Sequence, residues 1–243
     1  MVVVNLFGVP GAGKSTGAAY IFSRLKLNGI NAELITEFAK DKVWENNTEA
    51  FKNQAYLFGK QSYKMSRCKD KVDVIVTDSP LPLSVFYNTD EVLGEDFNKV
   101  VMNVFNSYDN LNYLLTRVKP YNAVGRHQTE DESDALKQPM IDLLNNRHIA
   151  YNEHNGCVDG YDAIVSNILA YLDFRKLGYT KQEAEVLASA SAITDRICTD
   201  ITDADMERIA DKFCEIGLPG EILTPEQTKK VLREYEKHNG REE

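Results

Sequence analysis

The nine residues from Gly8 to Thr16 constrain this chain more than any others. They read Gly8-Val9-Pro10-Gly11-Ala12-Gly13-Lys14-Ser15-Thr16 and fit G-x-x-x-x-G-K-[ST], a loop that cradles phosphates. The apolar run Val2-Val3-Val4-Asn5-Leu6-Phe7 before it suits a buried strand, and Ser15 to Asn28 suits the helix that follows. In that context the glycines let backbone N–H groups turn inward around a polyphosphate. The helix N-terminus adds a partial positive charge, Lys14 reaches the β- and γ-phosphates, and the Ser15 hydroxyl can hold Mg²⁺. Gly8, Pro10, Gly11, Ala12, Gly13, Lys14, Ser15 and Thr16 therefore form the expected binding set for ATP or GTP. The competing reading is an ordinary glycine turn between a strand and a helix.

A chain of 243 residues has room for one α/β domain with a modest addition, and 43% hydrophobic residues can build a sizeable core. The net charge is −9, which disfavours broad contact with a nucleic-acid backbone, although a local basic pocket remains compatible with it. Cys68, Cys157, Cys198 and Cys214 have neither metal-site nor C-x-x-C spacing, so reduced thiols in a cytoplasmic protein are expected. The first strand begins at once, which leaves no room for a signal peptide. No apolar run approaches about 18 residues, so no membrane span is expected.

Apolar strands alternate with helical patterns over most of the chain. The candidate strands are Val2–Phe7, Asn31–Thr36, Val72–Thr77, Leu111–Thr116 and Ile149–Glu153. Helical stretches lie at about 14–28, 48–67, 94–107, 130–147 and 160–173. This alternation predicts an α/β fold, a five-stranded parallel sheet covered on both faces, with ligands at the carboxyl ends of the strands. Residues 1–173 form the expected principal domain. After about residue 174 no strand-like run occurs, and residues 174–243 read as a helical appendage with 11 basic and 15 acidic residues. Its helix starts are Thr180-Lys-Gln-Glu183, Thr202-Asp-Ala-Asp205 and Thr224-Pro-Glu-Gln227.

The polar residues at the strand ends carry the chemistry. Glu37 follows the second strand and Asp78 follows the third, where a phosphate-binding fold faces its γ-phosphate. Asp78 ends an apolar strand, which fits a carboxylate that holds Mg²⁺ or its water. Glu37 then fits the residue that orients or deprotonates an attacking hydroxyl, with the two roles exchangeable. Both are also ordinary helix-start acids. After the fourth strand the eleven residues from Arg117 to His127 contain no acid, whereas Glu130, Asp131, Glu132 and Asp134 crowd the next seven. A basic loop there suits a lid that closes over transferring phosphates, with Arg117 at the strand end and Arg126 after the hinge-like Gly125. It can equally be a solvated loop paired with the neighbouring acids.

Between the second and third strands, Trp44 precedes a helix in which Gln54 and Gln61 are seven apart and share a face. An amide reads the edge of a base or carboxamide, and an aromatic stacks on a flat ring. Gln54, Gln61, Trp44 and Tyr87 therefore join Glu37 as the expected acceptor pocket, although simple amphipathic packing explains the glutamines as well. Asn155 to Gly160 is where an adenine would rest.

Glu37 after strand two, the Gln-bearing helix, Asp78-Ser79-Pro80 and the basic lid, taken with the loop at Gly8, resemble the P-loop nucleoside and nucleotide kinases over about residues 1–173. Two branches look similar. In the nicotinamide-riboside-kinase-like ATPases, many of them carried by phages, an acid-plus-aromatic segment follows strand two, as Glu37-Phe38-Ala39-Lys40 does here. In the deoxynucleoside kinases a Glu, a Trp, a Gln and an acid-X-Ser element follow in this order, but with Glu-Arg-Ser where this chain has Asp78-Ser79-Pro80.

The resemblance implies the three-layer P-loop NTPase fold, a cytoplasmic place (the host's, if phage-borne) and phosphoryl transfer from ATP with Mg²⁺ to a nucleoside, nucleotide or similar small molecule. In it Lys14, Glu37, Asp78, Arg117 and Arg126 would be catalytic, with Ser15 and Asp78 at the metal. Two other readings stay open. One is an ATPase switch that moves the appendage against a protein partner, and the other is a kinase of polynucleotide 5′-ends. The appendage also suits pairing two chains as a homodimer.

Overall fold

A computed structural model describes residues 1–122 and 129–194. Its first compact unit comprises residues 1–165 and its second residues 166–243. The first unit is built on five parallel strands: β1 (Val2–Phe7), β2 (Ala32–Ile35), β3 (Val74–Thr77), β4 (Asp109–Thr116) and β5 (Asn152–Asn155). Their order is β2-β3-β1-β4-β5, with helices on both sides, the covered five-stranded parallel sheet that the alternating pattern predicts.

Every residue of β1 is buried, as the central strand of a sheet covered on both faces requires. Strand residues alternate between faces. Val3, Phe7 and Ile75 join Met65, Val101, Phe105, Met140 and Leu144 in one core cluster. These come from the helices α3 (Gln54–Ser66), α5 (Gly94–Asn106) and α7 (Lys137–Asn146). Helix α1 (Lys14–Leu27) packs along β1, β2 and β3 and buries Ile21 and Leu25.

Several element boundaries differ from the sequence reading by a residue or more, and three of them have a clear local reason. The last strand begins at Asn152, not Ile149. His148 takes a left-handed φ of 52°, and the Ile149 N–H donates to the Leu144 carbonyl at 2.9 Å. Ile149 is thus the apolar residue that closes a Schellman-type helix end, so its burial belongs to the helix cap. The stretch 130–147 is two helices, α6 (Glu130–Ala135) and α7, because Pro139 has no N–H and would clash with the Ala135 carbonyl in a continuous helix. The stretch 48–67 is a short 3₁₀ turn (Thr48–Lys52) followed by α3. Asn53 caps α3 by accepting from the Tyr56 N–H at 2.9 Å.

Helix α2 (Phe38–Trp44) was not anticipated. The short α4 (Leu83–Phe86) follows β3. Helix α8 (Val158–Lys176) starts two residues earlier than predicted. In the second unit, α9 (Lys181–Thr194) begins at the predicted capping box, where Thr180 Oγ1 accepts from the Glu183 N–H and Glu183 Oε2 accepts from the Thr180 N–H. The starts at Thr202 and Thr224 lie outside the described residues, as do Cys198 and Cys214. Among the described residues no helix is long and apolar enough to cross a membrane.

Candidate active site at the strand ends

The phosphate loop turns where β1 ends. Gly8, Gly11 and Gly13 have φ of 143°, 84° and 93°, which a side chain would strain, so the three glycines permit this turn. Gly13 is the left-handed cap of α1, and Lys14 is its first residue. The Lys14 ammonium curls back to donate to the carbonyls of Gly8 (2.7 Å) and Val9 (3.2 Å), over the hollow of its own loop. Neighbouring elements hold the loop from outside. Gly156 lies so close to the Ala12 carbonyl that no Cβ would fit there. The buried Ser133 of α6 donates to the Pro10 carbonyl at 2.7 Å.

β2 and β3 are in register at Ile35 and Thr77, so the residues just beyond them emerge side by side. The Glu37 N–H donates to Asp78 Oδ1 at 3.0 Å, and the Phe38 N–H donates to Gln61 Oε1 at 3.1 Å. The turn into α2 thus hangs on two buried acceptors, one from β3 and one from α3. Desolvation raises the Glu37 carboxyl above the usual carboxylate range. Lys14 opposes this and Asp78 adds to it. Burial, then the Glu37 charge, pushes the Tyr87 phenol up to about 12.

One cavity of about 700 Å³ unites these parts. Its phosphate wall is Gly8, Pro10, Gly11, Gly13, Lys14, Ser15 and Thr16. Its other wall includes Glu37, Trp44, Gln54, Gln61 and Tyr87, five residues chosen from sequence, together with Phe38, Lys40 and Phe51. The two glutamines differ in use. Gln61 is spent inside the protein: besides the Phe38 N–H it reaches Thr77 Oγ1 at 3.4 Å. Gln54 donates one amide hydrogen to the Phe51 carbonyl at 3.0 Å and is only 6% exposed. Trp44 stands at the rim, 65% exposed. Asp78 is 3% exposed and lies behind the cavity wall, bonded to Glu37.

Arg117 leaves β4 beside the phosphate loop. Its Nη2 meets Asp134 and, at 3.2 Å, Glu130, two acids one turn apart on α6. Its guanidinium lies 5.2 Å from the centre of the Tyr121 ring, and that ring covers Gly11. Arg117 Nη1 is buried and has no hydrogen-bond partner among the described residues. The acids thus orient the arginine at the loop through Nη2, while the hydrogen-bonding capacity of its Nη1 is not used by them. Arg126 and Gly125 lie outside the described residues.

The sequence reading did not single out Phe51, Ser133 or Tyr161 as parts of the site. Ser133 carried a signal: the box Thr129-x-x-Glu132, whose reciprocal bonds start α6, places it one residue later. Among the described residues no three His, Cys, Asp or Glu side chains converge as a metal cluster. Mg²⁺ needs none, since it commonly takes one or two protein oxygens and completes its shell with water and substrate phosphates. The Ser15 hydroxyl lines the cavity as a hard oxygen donor of that kind, and Asp78 has a second carboxylate oxygen beyond the one that Glu37 uses, so these two residues would hold the ion.

The chain resembles solved kinases only distantly. Deoxyadenosine kinase from M. mycoides, solved with bound dATP, is 19% identical with a TM-score of 0.47, over 69% of this chain and 98% of that one. Thymidylate kinase from Candida albicans is 14% identical with a TM-score of 0.41, over 72% of this chain and 92% of that one. No curated protein sequence matches it. A family model described as an AAA domain does match, across residues 3–159. That span takes in the phosphate loop, all five strands and both strand-end carboxylates, and the chain accordingly belongs to the AAA-domain family.

Proposed function

We propose that this protein is a phosphotransferase that moves the γ-phosphate of ATP, with Mg²⁺, to a hydroxyl or phosphate on a nucleoside-like small molecule. The observation that carries this reading is the single cavity with a phosphate-binding wall facing a wall of one carboxylate, an amide and several aromatics. A protein that only hydrolysed ATP would have no use for the second wall.

In this reading Lys14, the loop amides and Ser15 hold the donor. Mg²⁺ on Ser15 and Asp78 would neutralise charge on the phosphates. Glu37 accepts the proton of the acceptor hydroxyl as its oxygen bonds to the γ-phosphorus and the bond to the ADP oxygen breaks. Burial raises its pKa and so makes it a stronger base than an ordinary carboxylate. Arg117 offers its unspent N–H groups to the transferring phosphoryl oxygens. Gln54 and the aromatics bind a flat heterocycle, and Lys40 stands in the wall for an acceptor that already carries a phosphate.

The test is a mass-spectrometric turnover screen with ATP and Mg²⁺. The panel holds ribo- and deoxynucleosides, their monophosphates, nicotinamide riboside and a 5′-hydroxyl oligonucleotide. One small acceptor gaining the mass of a phosphoryl group, in the wild type and not in Lys14→Ala, is the expected result. ADP and phosphate formed with every acceptor unchanged would overturn the kinase reading in favour of an ATPase.

A further inference from the structure

Tyr161 of α8 is 1% exposed and donates its hydroxyl to the Gly13 carbonyl at 2.9 Å. That carbonyl also accepts the first bond of α1, from the Gly17 N–H at 2.8 Å. Two glycines of the motif region admit this side chain. A Cβ on Gly17 would lie 2.6 Å from the Tyr161 ring, and one on Gly13 would strike its hydroxyl. A second clasp joins the same two helices one residue further along α8: the Tyr20 hydroxyl donates to Asp162 Oδ1 at 2.7 Å. Burial holds the Tyr161 phenol protonated across the neutral range, so it acts as a donor.

The peptide between Gly13 and Lys14 is planar and trans, so its C=O and N–H point in opposite directions. Fixing the carbonyl down the axis of α1 turns the Lys14 N–H out of the helix start, and Lys14 itself lines the cavity at the phosphate loop. We propose that Tyr161 is a positioning residue for nucleotide binding. Through the Gly13 carbonyl it sets the angle of the Gly13–Lys14 peptide and so the aim of the Lys14 amide at the polyphosphate. This rests on the nucleotide-binding half of the function proposed above and is independent of the acceptor.

The test is titration calorimetry of ADP with Mg²⁺ on the full chain. Tyr161→Phe keeps the ring and removes the hydroxyl, while Gly13 keeps its bond from Gly17. Loss of the bond should weaken ADP binding about fivefold, and Tm should fall by only the few degrees that one hydrogen bond is worth. Gly17→Ala, which pushes the ring away, should weaken it as well. Tyr20→Phe loosens the same helix pair without touching Gly13 and should leave ADP affinity unchanged. An unchanged Kd in Tyr161→Phe overturns the proposal alone, as does equal weakening in Tyr20→Phe. Failure of the wild type to bind ADP overturns the nucleotide reading with it. Kinase turnover does not enter the readout, so absence of an acceptor leaves this test intact.

Discussion

The backbone N–H of Glu37 donates to the carboxylate of Asp78 at 3.0 Å. The residue read as a metal carboxylate is therefore also the residue that fixes the turn carrying the candidate base. Asp78→Asn keeps a side-chain oxygen for the Glu37 N–H and removes the charge, whereas Asp78→Ala removes both. We expect Asp78→Asn to fold with a near-native Tm and to need far more Mg²⁺ for turnover. Asp78→Ala should lose a further 1–3 kcal/mol, roughly the cost of leaving a buried donor unpaired. Mg²⁺ titrations of turnover and urea melts of the two variants check this. Equal stability in both would show that the bond does not hold the turn.

Glu37 gives a pH signature. Its carboxyl titrates above the usual carboxylate range because burial disfavours the charge, so the acid limb of the kcat/KM profile, which reports the free enzyme, should be displaced upward from that range. Glu37→Gln should lower kcat by about 10²–10⁴ and leave ADP affinity nearly unchanged. For stability the sign is opposite. In the window between the unfolded and the raised folded pKa the native state binds more protons, so stability falls as pH rises through that window. Glu37→Gln removes this loss and should melt at a higher temperature than the wild type at pH 7. Melting curves from pH 4 to 8 decide the point, and a lower Tm for the variant at pH 7 would contradict it.

Arg117 needs its fork. A lysine there keeps the charge but cannot reach Glu130 and Asp134 while facing the phosphates. Arg117→Ala should reduce kcat by on the order of 10³-fold, as loss of a transition-state arginine does, and Arg117→Lys should recover little of it. Steady-state kinetics of both variants provide the check, and recovery to wild-type kcat by the lysine would show that charge alone suffices.

Gly156 tests how tightly the loop is buttressed. A methyl there would meet the Ala12 backbone carbonyl, which has no flexible end to move aside. Gly156→Ala should cost about 1–3 kcal/mol, an ordinary overpacking penalty. For a chain of this size that is a Tm lower by roughly 2–12 °C. Differential scanning fluorimetry reads it directly, and an unchanged Tm would mean that the loop yields to β5 without strain.

The phosphate loop, the parallel α/β architecture and the positions of Glu37 and Asp78 were legible in the chain itself. They are local facts: a fixed spacing of glycines, apolar runs too continuous for an exposed sheet, and acids standing next after those runs. The Thr129 and Asn53 caps and the break before Pro139 were equally local, and closer reading of the sequence would have found them. What the sequence left open is which distant groups share partners. Asp78 and Glu37 are 41 residues apart and Tyr161 and Gly13 are 148 apart; strand order brings the first pair together, and the packing of α8 against the start of α1 brings the second. Gln54 and Gln61 have the same spacing on one helix face, yet Gln61 is consumed by the Phe38 N–H and Thr77 while Gln54 faces the cavity with hydrogen-bonding capacity to spare. Ile149 looked like strand because burial is all that hydrophobicity reports, and only the left-handed turn at His148 assigns it to a helix cap. Chemistry written in short spacings is readable from the sequence; the division of hydrogen-bonding capacity among residues far apart in the chain exists only once the sheet has assembled.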